Sequence, residues 1–183
     1  MEDTRTPEEM SLRELREEDI EALLREDPAM NSAEEVLAYS AGVRAIWEYR
    51  RFHRMWLEGD KLGALRRAQA CRNRYAIEIH PGATIGRRLS IDHGMGIVIG
   101  ETAVLGNDCK LYHGVTLGGT GKETGKRHPT LGDNVMVGAR ATVLGSVTIG
   151  DNVKIGAGAV VLNDVPANTT AVGIPVRIIY HNR

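Results

Sequence analysis

The sequence predicts a mainly β protein, a left-handed parallel β-helix preceded by an α-helical region. Two observations support this fold: an apolar residue recurs every six positions from Ile79 to Val161, and a helix-like pattern precedes it. Short strands need a flat aliphatic face and tight turns need Gly, Asn or Asp, so a period of six predicts alternating strands and turns. The repeated column comprises Ile79, Ile85, Ile91, Ile97, Ala103, Cys109, Val115, Leu131, Val137, Val143, Ile149, Ile155 and Val161.

Three repeats close one triangular coil, so residues eighteen apart are predicted to stack, as Ile97 on Ile79. Each coil adds about 4.8 Å of height, the usual spacing of paired strands. The column is predicted to point inward on all three faces. A β-sandwich is the alternative, but sandwich strands alternate with period two and have irregular turns.

Four helices are predicted before the repeats. Ser11 and Ser32 each stand three residues before a glutamate, a capping-box spacing in which both side chains satisfy free N–H groups at a helix start. We expect residues 1–77 to form this helical region and to cover the first coil of the β-helix, residues 78–183, whose edge strands would otherwise be open. The predicted helices span about 11–26, 33–41, 43–58 and 61–74.

Composition excludes several classes of protein. A net charge of −1 over 183 residues argues against nucleic-acid binding, which usually needs a clustered basic face. Cys71 and Cys109 are expected to be reduced thiols and not a disulfide. No apolar run approaches the roughly 20 residues that span a bilayer, and the acidic N-terminus does not resemble a signal peptide. The sequence therefore predicts a soluble, cytoplasmic protein.

One segment, residues 121–130, interrupts the repeats with the sequence GKETGKRHPT. A solenoid extrudes such an insertion as a loop, and loops of this kind tend to carry function. Gly118 and Gly119 precede it, so a ligand can approach the backbone closely, and Arg127 and His128 lie near its end. The alternative is an ordinary solvated, charged loop.

A second departure from the repeat is Asp92-His93, where other repeats offer glycine or small polar residues. Glu78 precedes His93 by fifteen residues, almost one coil, which places its carboxylate at a neighbouring corner. A general base needs one ring nitrogen held by a carboxylate and the other free to take a proton. We therefore predict a Glu78–His93 dyad, with a purely structural histidine as the alternative.

These segments together resemble the serine O-acetyltransferase family of hexapeptide-repeat acyltransferases. The motifs that carry the likeness are Glu78-Ile-His-Pro81, Asp92-His93, Gly100-Glu-Thr-Ala103, Val115-Thr-Leu-Gly-Gly-Thr-Gly-Lys122 and Arg127-His-Pro129, with Asp27-Pro-Ala29 upstream and Gly173-Ile-Pro175 downstream. The resemblance implies transfer of an acetyl group from acetyl-CoA to the hydroxyl of L-serine, giving O-acetyl-L-serine and CoA in cysteine biosynthesis. It implies acetyl-CoA as co-substrate and no metal.

By this resemblance, His93 is the general base and Glu78 orients it, although the family more often has Asp at the latter position. Arg127 and His128 would bind the serine carboxylate, and Asp27 and Asp92 would hold the amino group or neighbouring parts of the site. The predicted acetyl-CoA residues are Gly118, Gly119, Thr120, Gly138, Ala139, Gly156 and Ala157.

Direct attack by serine is the expected mechanism. A backbone N–H of the Gly118–Gly119 segment is the candidate donor to the tetrahedral oxyanion. The rival mechanism, a covalent intermediate on Cys109, is disfavoured because that residue falls in the inward column.

The resemblance also implies an assembly. The family forms homotrimers with the site between subunits, so His93 and His128 would come from different chains, and longer members stack two trimers. The chain stops at His181-Asn182-Arg183 without the longer members' tail, so weak or absent binding to O-acetylserine sulfhydrylase is expected. Feedback inhibition by cysteine is expected of the family.

Other functions remain open at this stage: an acyltransferase acting on another acceptor, a γ-carbonic-anhydrase-type zinc hydratase, and an inactive scaffold. One further feature is unusual. Glu101, Asn107 and His113 occupy a position that is small or apolar in most repeats. Because buried polar groups must be hydrogen-bonded, either these three bond one another and the nearby backbone inside one coil, or the register shifts locally. A third alternative is that His113 faces the active site, because it lies a few residues before Val115-Thr116.

Overall fold

The computed structural model describes residues 3–121 and 124–180. Four helices come first: α1 Leu12–Glu26, α2 Ala33–Tyr39, α3 Ala41–Leu57 and α4 Lys61–Tyr75. Ser11 caps α1 as predicted, because its Oγ accepts from the Glu14 N–H at 3.2 Å and the Glu14 carboxylate accepts from the Ser11 N–H at 2.8 Å. Ser32 caps α2 through the Glu35 N–H. The predicted helices are therefore confirmed, with small differences at their ends.

Short strands follow, and they form three faces. Their bounds are β1 Glu78–Ile79, β2 Thr84–Ile85, β3 Ser90–Asp92, β4 Val98–Ile99, β5 Val104–Leu105, β6 Lys110–Tyr112, β7 Thr116–Gly118, β8 Thr130–Leu131, β9 Met136–Val137, β10 Thr142–Leu144, β11 Thr148–Ile149, β12 Lys154–Ile155, β13 Val160–Val161, β14 Thr169–Val172 and β15 Arg177–Tyr180. The first face has the order β1-β4-β7-β10-β13, the second β2-β5-β8-β11, and the third β3-β6-β9-β12-β14-β15. Within these faces β15 pairs antiparallel with β14, while the other pairs are parallel, so the parallel β-helix is confirmed.

The thirteen residues of the predicted column are all buried, with at most 3% of their surface exposed. Their predicted stacking is wrong in the first coil, because Ile79 pairs with Ile99 and not with Ile97. The turn after β3 contains the two additional residues, and His93, Gly94 and Gly96 there have positive φ. From Ile97 to Val115 the residues of the predicted column therefore occupy a second set of inward positions. Each lies two residues before the residue that pairs with the neighbouring coil, as Ile97 lies before Ile99.

This shift explains the unusual polar residues. Glu101, Asn107 and His113 do not converge inside a coil; they lie half-buried at its corners. The local register shift is therefore correct and convergence inside one coil is wrong. The stacked inward positions are occupied by Ile99, Leu105, Leu111 and Leu117, which are at most 2% exposed.

The register changes again across the interrupting segment. Leu117 pairs with Val143, twenty-six residues later, so the loop adds eight residues to an eighteen-residue coil and not the ten counted from the column. Residues 122 and 123 of the predicted loop lie outside the described residues, as do residues 181–183.

Helix α3 covers the first coil and bonds to its carbonyl groups. The Tyr49 hydroxyl donates to the Ala83 carbonyl at 2.5 Å, and the Arg50 guanidinium donates to the carbonyls of Ile85 and Gly86. These bonds satisfy carbonyls of the first coil that would otherwise be buried without a partner.

Both cysteines are free and buried. Burial raises the pKa of the Cys71 thiol to about 11 and that of the Cys109 thiol to about 12. Over the part of the chain that the structure describes, no helix is sufficiently long and apolar to cross a membrane.

Replacing Leu117 with alanine should test the packing of the solenoid. Leu117 is fully buried between Ile99 and Val143, so the change should lower the free energy of unfolding by about 2–5 kcal/mol through lost burial and a cavity. Urea denaturation measures it. Leu162, which is 48% exposed, provides the matched control, and Leu162→Ala should cost about 0.5 kcal/mol or less. Equal losses in the two variants would contradict the packing described.

Candidate active site

The predicted site residues lie at two corners of the coil. The His93 corner lies between the third and first faces and contains the turns after β3, β6, β9 and β12. The His128 corner lies between the first and second faces and contains the turns after β1 and β4 and the loop after β7. The first face separates the two corners.

At the His93 corner, successive turns stack directly. Asp92 pairs with Tyr112 in the strand ladder, which places His93 one coil from His113, and their ring centroids are 5.8 Å apart at 79°. Further along, the Arg140 N–H donates to the His113 carbonyl at 2.9 Å. This stack of turn residues continues to Ala139 and Ala157, since the Gly158 N–H donates to the Ala139 carbonyl at 2.8 Å.

His93 itself is accessible. Its φ of 61° turns the backbone sharply, and 72% of its side chain is exposed. Its Nε2 lies 3.7 Å from Asp92 Oδ1. An exposed imidazole at a corner whose later turns carry Ala139 and Ala157 is suitable for proton transfer to a ligand lying along that corner.

The structure does not show the predicted Glu78–His93 dyad. Among the described residues these two side chains share no hydrogen bond or ion pair, and Glu78 Oε2 lies 3.2 Å from Arg72 Nη1 instead. The two chain segments do meet, because the Gly96 N–H donates to the Ala76 carbonyl at 2.8 Å. The carboxylate is therefore near the correct corner but is directed toward α4.

Asp27 and Asp92 lie on the side of the third face. Asp27 ends α1, and its Oδ1 accepts from the Ala29 N–H at 2.9 Å, while α1 contacts β3. Asp92 ends β3, and the Lys110 ammonium is 3.9 Å from its Oδ2. The two aspartates predicted to hold the amino group or neighbouring parts of the site therefore lie in, or directly after, elements that touch each other.

At the His128 corner, Thr102 organises the end of the loop. Its Oγ1 accepts from the N–H groups of Arg127 and His128 at 3.0 and 3.1 Å. Its own N–H donates to His128 Nδ1 at 3.1 Å. Because Nδ1 is the acceptor, a neutral His128 carries its hydrogen on Nε2, and burial, reinforced by the Arg127 charge, lowers its pKa.

Gly100 makes room for this imidazole. A Cβ at position 100 would lie 2.0 Å from His128 Cδ2 and 2.1 Å from its Nε2, distances that no side chain tolerates. His128 is only 8% exposed, so its ring has little space into which to move. The position of His128 therefore depends on a glycine one strand away.

Two residues without a predicted role hold the same loop. Glu101 Oε2 accepts from Arg127 Nη2 at 2.5 Å, and this bond lowers the pKa of Glu101. The Lys126 ammonium donates to the carbonyls of Thr102, His128 and Pro129 at 2.7, 2.6 and 3.2 Å. The Gly100-Glu-Thr-Ala103 motif had drawn attention to Glu101. Its pairing with Arg127 could not be predicted without knowing the length of the inserted loop.

The predicted acetyl-CoA residues are divided between the corners. Gly118, Gly119 and Thr120 lie at the His128 corner, where a Cβ on Gly119 would be 3.2 Å from the Arg127 carbonyl. The other four, Gly138, Ala139, Gly156 and Ala157, lie at the His93 corner. A Cβ on Gly138 would be 2.6 Å from the Ala157 nitrogen, so close stacking of the turns already requires that glycine.

Possible metal ligands among the titratable groups of the described residues are His, Cys, Asp and Glu side chains. Within residues 3–121 and 124–180, no three His, Cys, Asp or Glu side chains converge as metal ligands would. His80 lies at the His128 corner, where its Nδ1 accepts from the Gly82 N–H at 3.0 Å and its ring packs edge-on against Trp56 at 5.2 Å. His80 is therefore engaged by local contacts.

Comparison with known proteins agrees with this geometry. Residues 128–163 match the family model described as bacterial transferase hexapeptide (six repeats), so the solenoid and its corners define a hexapeptide-repeat transferase. The serine acetyltransferase of Staphylococcus xylosus is 51% identical over 162 residues, which cover 88% of this chain and 75% of the relative. That of Bacillus subtilis is 51% identical over 165 residues, or 90% and 76% of the two chains. The chain belongs to the serine acetyltransferase family.

Solved structures show the same likeness. Neisseria gonorrhoeae serine acetyltransferase superimposes with a TM-score of 0.89 at 45% identity, covering 92% of this chain and 64% of that one. Soybean serine acetyltransferase complexed with serine gives 0.90 at 46%, covering 92% and 70%. A serine acetyltransferase in complex with CoA gives 0.88 at 42%, again covering 92% and 70%.

Proposed function

We propose that this chain transfers the acetyl group of acetyl-CoA to the hydroxyl of L-serine, giving O-acetyl-L-serine and CoA in cysteine biosynthesis. The observation that carries the proposal is the accessible His93 imidazole, which lies next to His113 at a corner whose later turns carry small residues, in a chain about half identical to serine acetyltransferases. The relatives solved with serine and with CoA support the two substrates.

His93 takes the proton of the serine hydroxyl as its oxygen attacks the thioester carbonyl of acetyl-CoA. The tetrahedral intermediate collapses, the carbon–sulfur bond breaks, and the departing CoA sulfur receives the proton from the imidazolium. Positioned general bases contribute about 10²–10⁴-fold. A backbone N–H of the Gly118–Gly119 segment is the proposed donor to the oxyanion.

Direct transfer is favoured over a covalent intermediate on Cys109. Its thiol lies inside the solenoid, fully buried, and its Sγ is 3.2 Å from the Gly132 carbonyl oxygen. Since burial raises the pKa to about 12 and the thiolate is the nucleophile, this cysteine is protonated and out of reach.

The serine zwitterion needs one cationic group to bind its carboxylate and one anionic group to bind its ammonium. Arg127 and the Nε2–H of His128 serve its carboxylate, and Asp27 and Asp92 serve its ammonium group. Glu78 orients His93 after leaving Arg72. Half-exposed ion pairs such as Glu78–Arg72 contribute about 0–1 kcal/mol, so this rearrangement costs little.

The two corners belong to one site only if they come from different chains. In a single chain the first face separates His93 from His128, and the predicted acetyl-CoA residues divide in the same way. A homotrimer would place the His93 corner of one chain against the His128 corner of the next. This division between corners supports the trimeric site.

A coupled assay of CoA release should test the activity with L-serine, L-homoserine and a galactoside as acceptors. Release should depend on L-serine, and mass spectrometry should find one acetyl group on its oxygen. L-homoserine should react more slowly because its longer chain displaces the hydroxyl from His93. Equal release with the galactoside, or none with L-serine, would overturn the assignment.

A further inference from the structure

Among the described residues, the His93 imidazole has no hydrogen-bond partner that would fix its orientation. Its side chain is 72% exposed, and Asp92 Oδ1 lies 3.7 Å from its Nε2, which is beyond hydrogen-bond distance. Glu78 is paired with Arg72 instead. A general base must lie within hydrogen-bond distance of the proton that it takes, and a misplacement of about 1 Å can cost about 100-fold in rate. An exposed ring of this kind needs a packing contact to orient it.

His113 provides such a contact. The ring centroids of His93 and His113 are 5.8 Å apart and the ring planes meet at 79°. This is the edge-to-face arrangement that aromatic rings prefer at about 4.5–7 Å. The pairing of Asp92 with Tyr112 places the two histidines at equivalent points of successive coils, so the register of the strands brings the rings together.

His113 is held more firmly than His93. The turn that contains it is bonded on both sides, because the Gly114 N–H donates to the Met95 carbonyl at 2.9 Å and the Arg140 N–H donates to the His113 carbonyl at 2.9 Å. Its side chain is half-buried, and its Nδ1 is enclosed. A ring held in this way restricts the rotamers of an exposed neighbour.

The buried nitrogen of His113 indicates that the ring makes the contact and that a hydrogen bond does not. Its Nδ1 has no hydrogen-bond partner among the described residues, although buried polar atoms nearly always have one. An unpaired buried nitrogen is unfavourable, and an apolar atom of the same shape is tolerated there at little cost. A phenyl ring at position 113 should therefore take over the packing.

We propose that His113 is a positioning residue, which packs against the His93 imidazole and holds it in the orientation that takes the proton of the serine hydroxyl. This role rests on the proposed acetyl transfer, because His113 acts through the general base and binds neither substrate. An edge-to-face contact is a modest interaction, so its loss should lower the rate about 3- to 10-fold.

Steady-state kinetics of CoA release should distinguish a packing role from a chemical one. His113→Ala should lower kcat about 3- to 10-fold and change KM for L-serine and for acetyl-CoA by less than about 2-fold, the pattern of an interaction that matters only in the transition state. His113→Phe should keep kcat within about 2-fold of the wild-type value, and its thermal midpoint should be unchanged or higher. His113→Gln, which is polar but has no ring, should lose as much as the alanine variant.

Two controls separate positioning from general damage to the coil. In a His93→Ala background, His113→Ala should change the remaining rate by less than about 2-fold, because changes that act through one contact are not additive. Asn134→Ala is the matched control, since Asn134 Nδ2 donates to Asn152 Oδ1 of the next coil at 2.9 Å, at a corner without predicted site residues. This variant loses a contact between neighbouring turns, and its kcat should stay within about 2-fold.

Nuclear magnetic resonance tests the ring contact without the reaction. The His93 imidazole C–H signals, assigned from His93→Ala, should move in His113→Ala because the ring current of His113 is lost. Unmoved signals, an unchanged kcat in His113→Ala, equal losses in the alanine and phenylalanine variants, or a raised KM for acetyl-CoA would each overturn the positioning role alone. If the wild-type chain released no CoA with L-serine, the proposed function would be wrong and the positioning role with it.

Discussion

Replacing His93 with alanine is expected to lower kcat/KM for L-serine by about 10²–10⁴-fold, the contribution of a positioned general base. The side chain is 72% exposed, so its removal leaves no cavity and should not alter the thermal midpoint. KM for acetyl-CoA should change little, because the base contacts the hydroxyl of serine. Initial rates of CoA release across pH 6–9 measure the loss.

Met95→Ala is the control for this variant. Met95 lies in the same turn and is 67% exposed, so it tests whether a change in the turn alone affects the rate. It should retain activity within a few-fold. If both variants lost the same activity, or if His93→Ala kept the wild-type rate and pH profile, the general-base assignment would be wrong.

The fold was predictable because its driving force is local and periodic. The apolar residues that recur every six positions are stabilised when they are removed from water, and a triangular coil buries all of them around its axis. What the sequence did not show was the length of each turn. Two additional residues near His93 shift the stack from Ile97 to Ile99, and both positions are buried, so hydrophobicity alone could not distinguish them.

The candidate site was less predictable, because its contacts join residues in different coils. Arg127 and His128 were apparent from the interrupted repeat, but Glu101 and Thr102 contact them across twenty-five or twenty-six positions. That separation is one coil plus the inserted loop, whose length within the coil the repeat pattern did not give. Glu78 illustrates the converse, since spacing placed it near His93 whereas the nearby Arg72 binds its carboxylate in the structure.

The Gly100→Ala variant should weaken L-serine binding at the His128 corner, although position 100 itself carries no functional group. The new Cβ would overlap the His128 ring, so the imidazole must leave its bonds to Thr102 and lose its place beside Arg127. Loss of a hydrogen bond to the charged serine carboxylate costs about 1.5–3 kcal/mol, so KM for L-serine should rise about 10- to 100-fold. Steady-state kinetics at saturating acetyl-CoA measure this change.

A double-mutant cycle with His128→Ala separates this mechanism from general damage to the coil. If Gly100 acts only by leaving room for the ring, then Gly100→Ala should add no more than about 2-fold once the ring is gone, because changes that act through one contact are not additive. Independent damage would multiply the two losses instead. Gly100→Ala should leave the four predicted acetyl-CoA residues of the His93 corner in place, so CoA binding measured without serine should weaken much less than L-serine binding does. Loss of CoA binding in the single variant, or full multiplication in the double variant, would show that Gly100 supports the coil as a whole and not the position of His128.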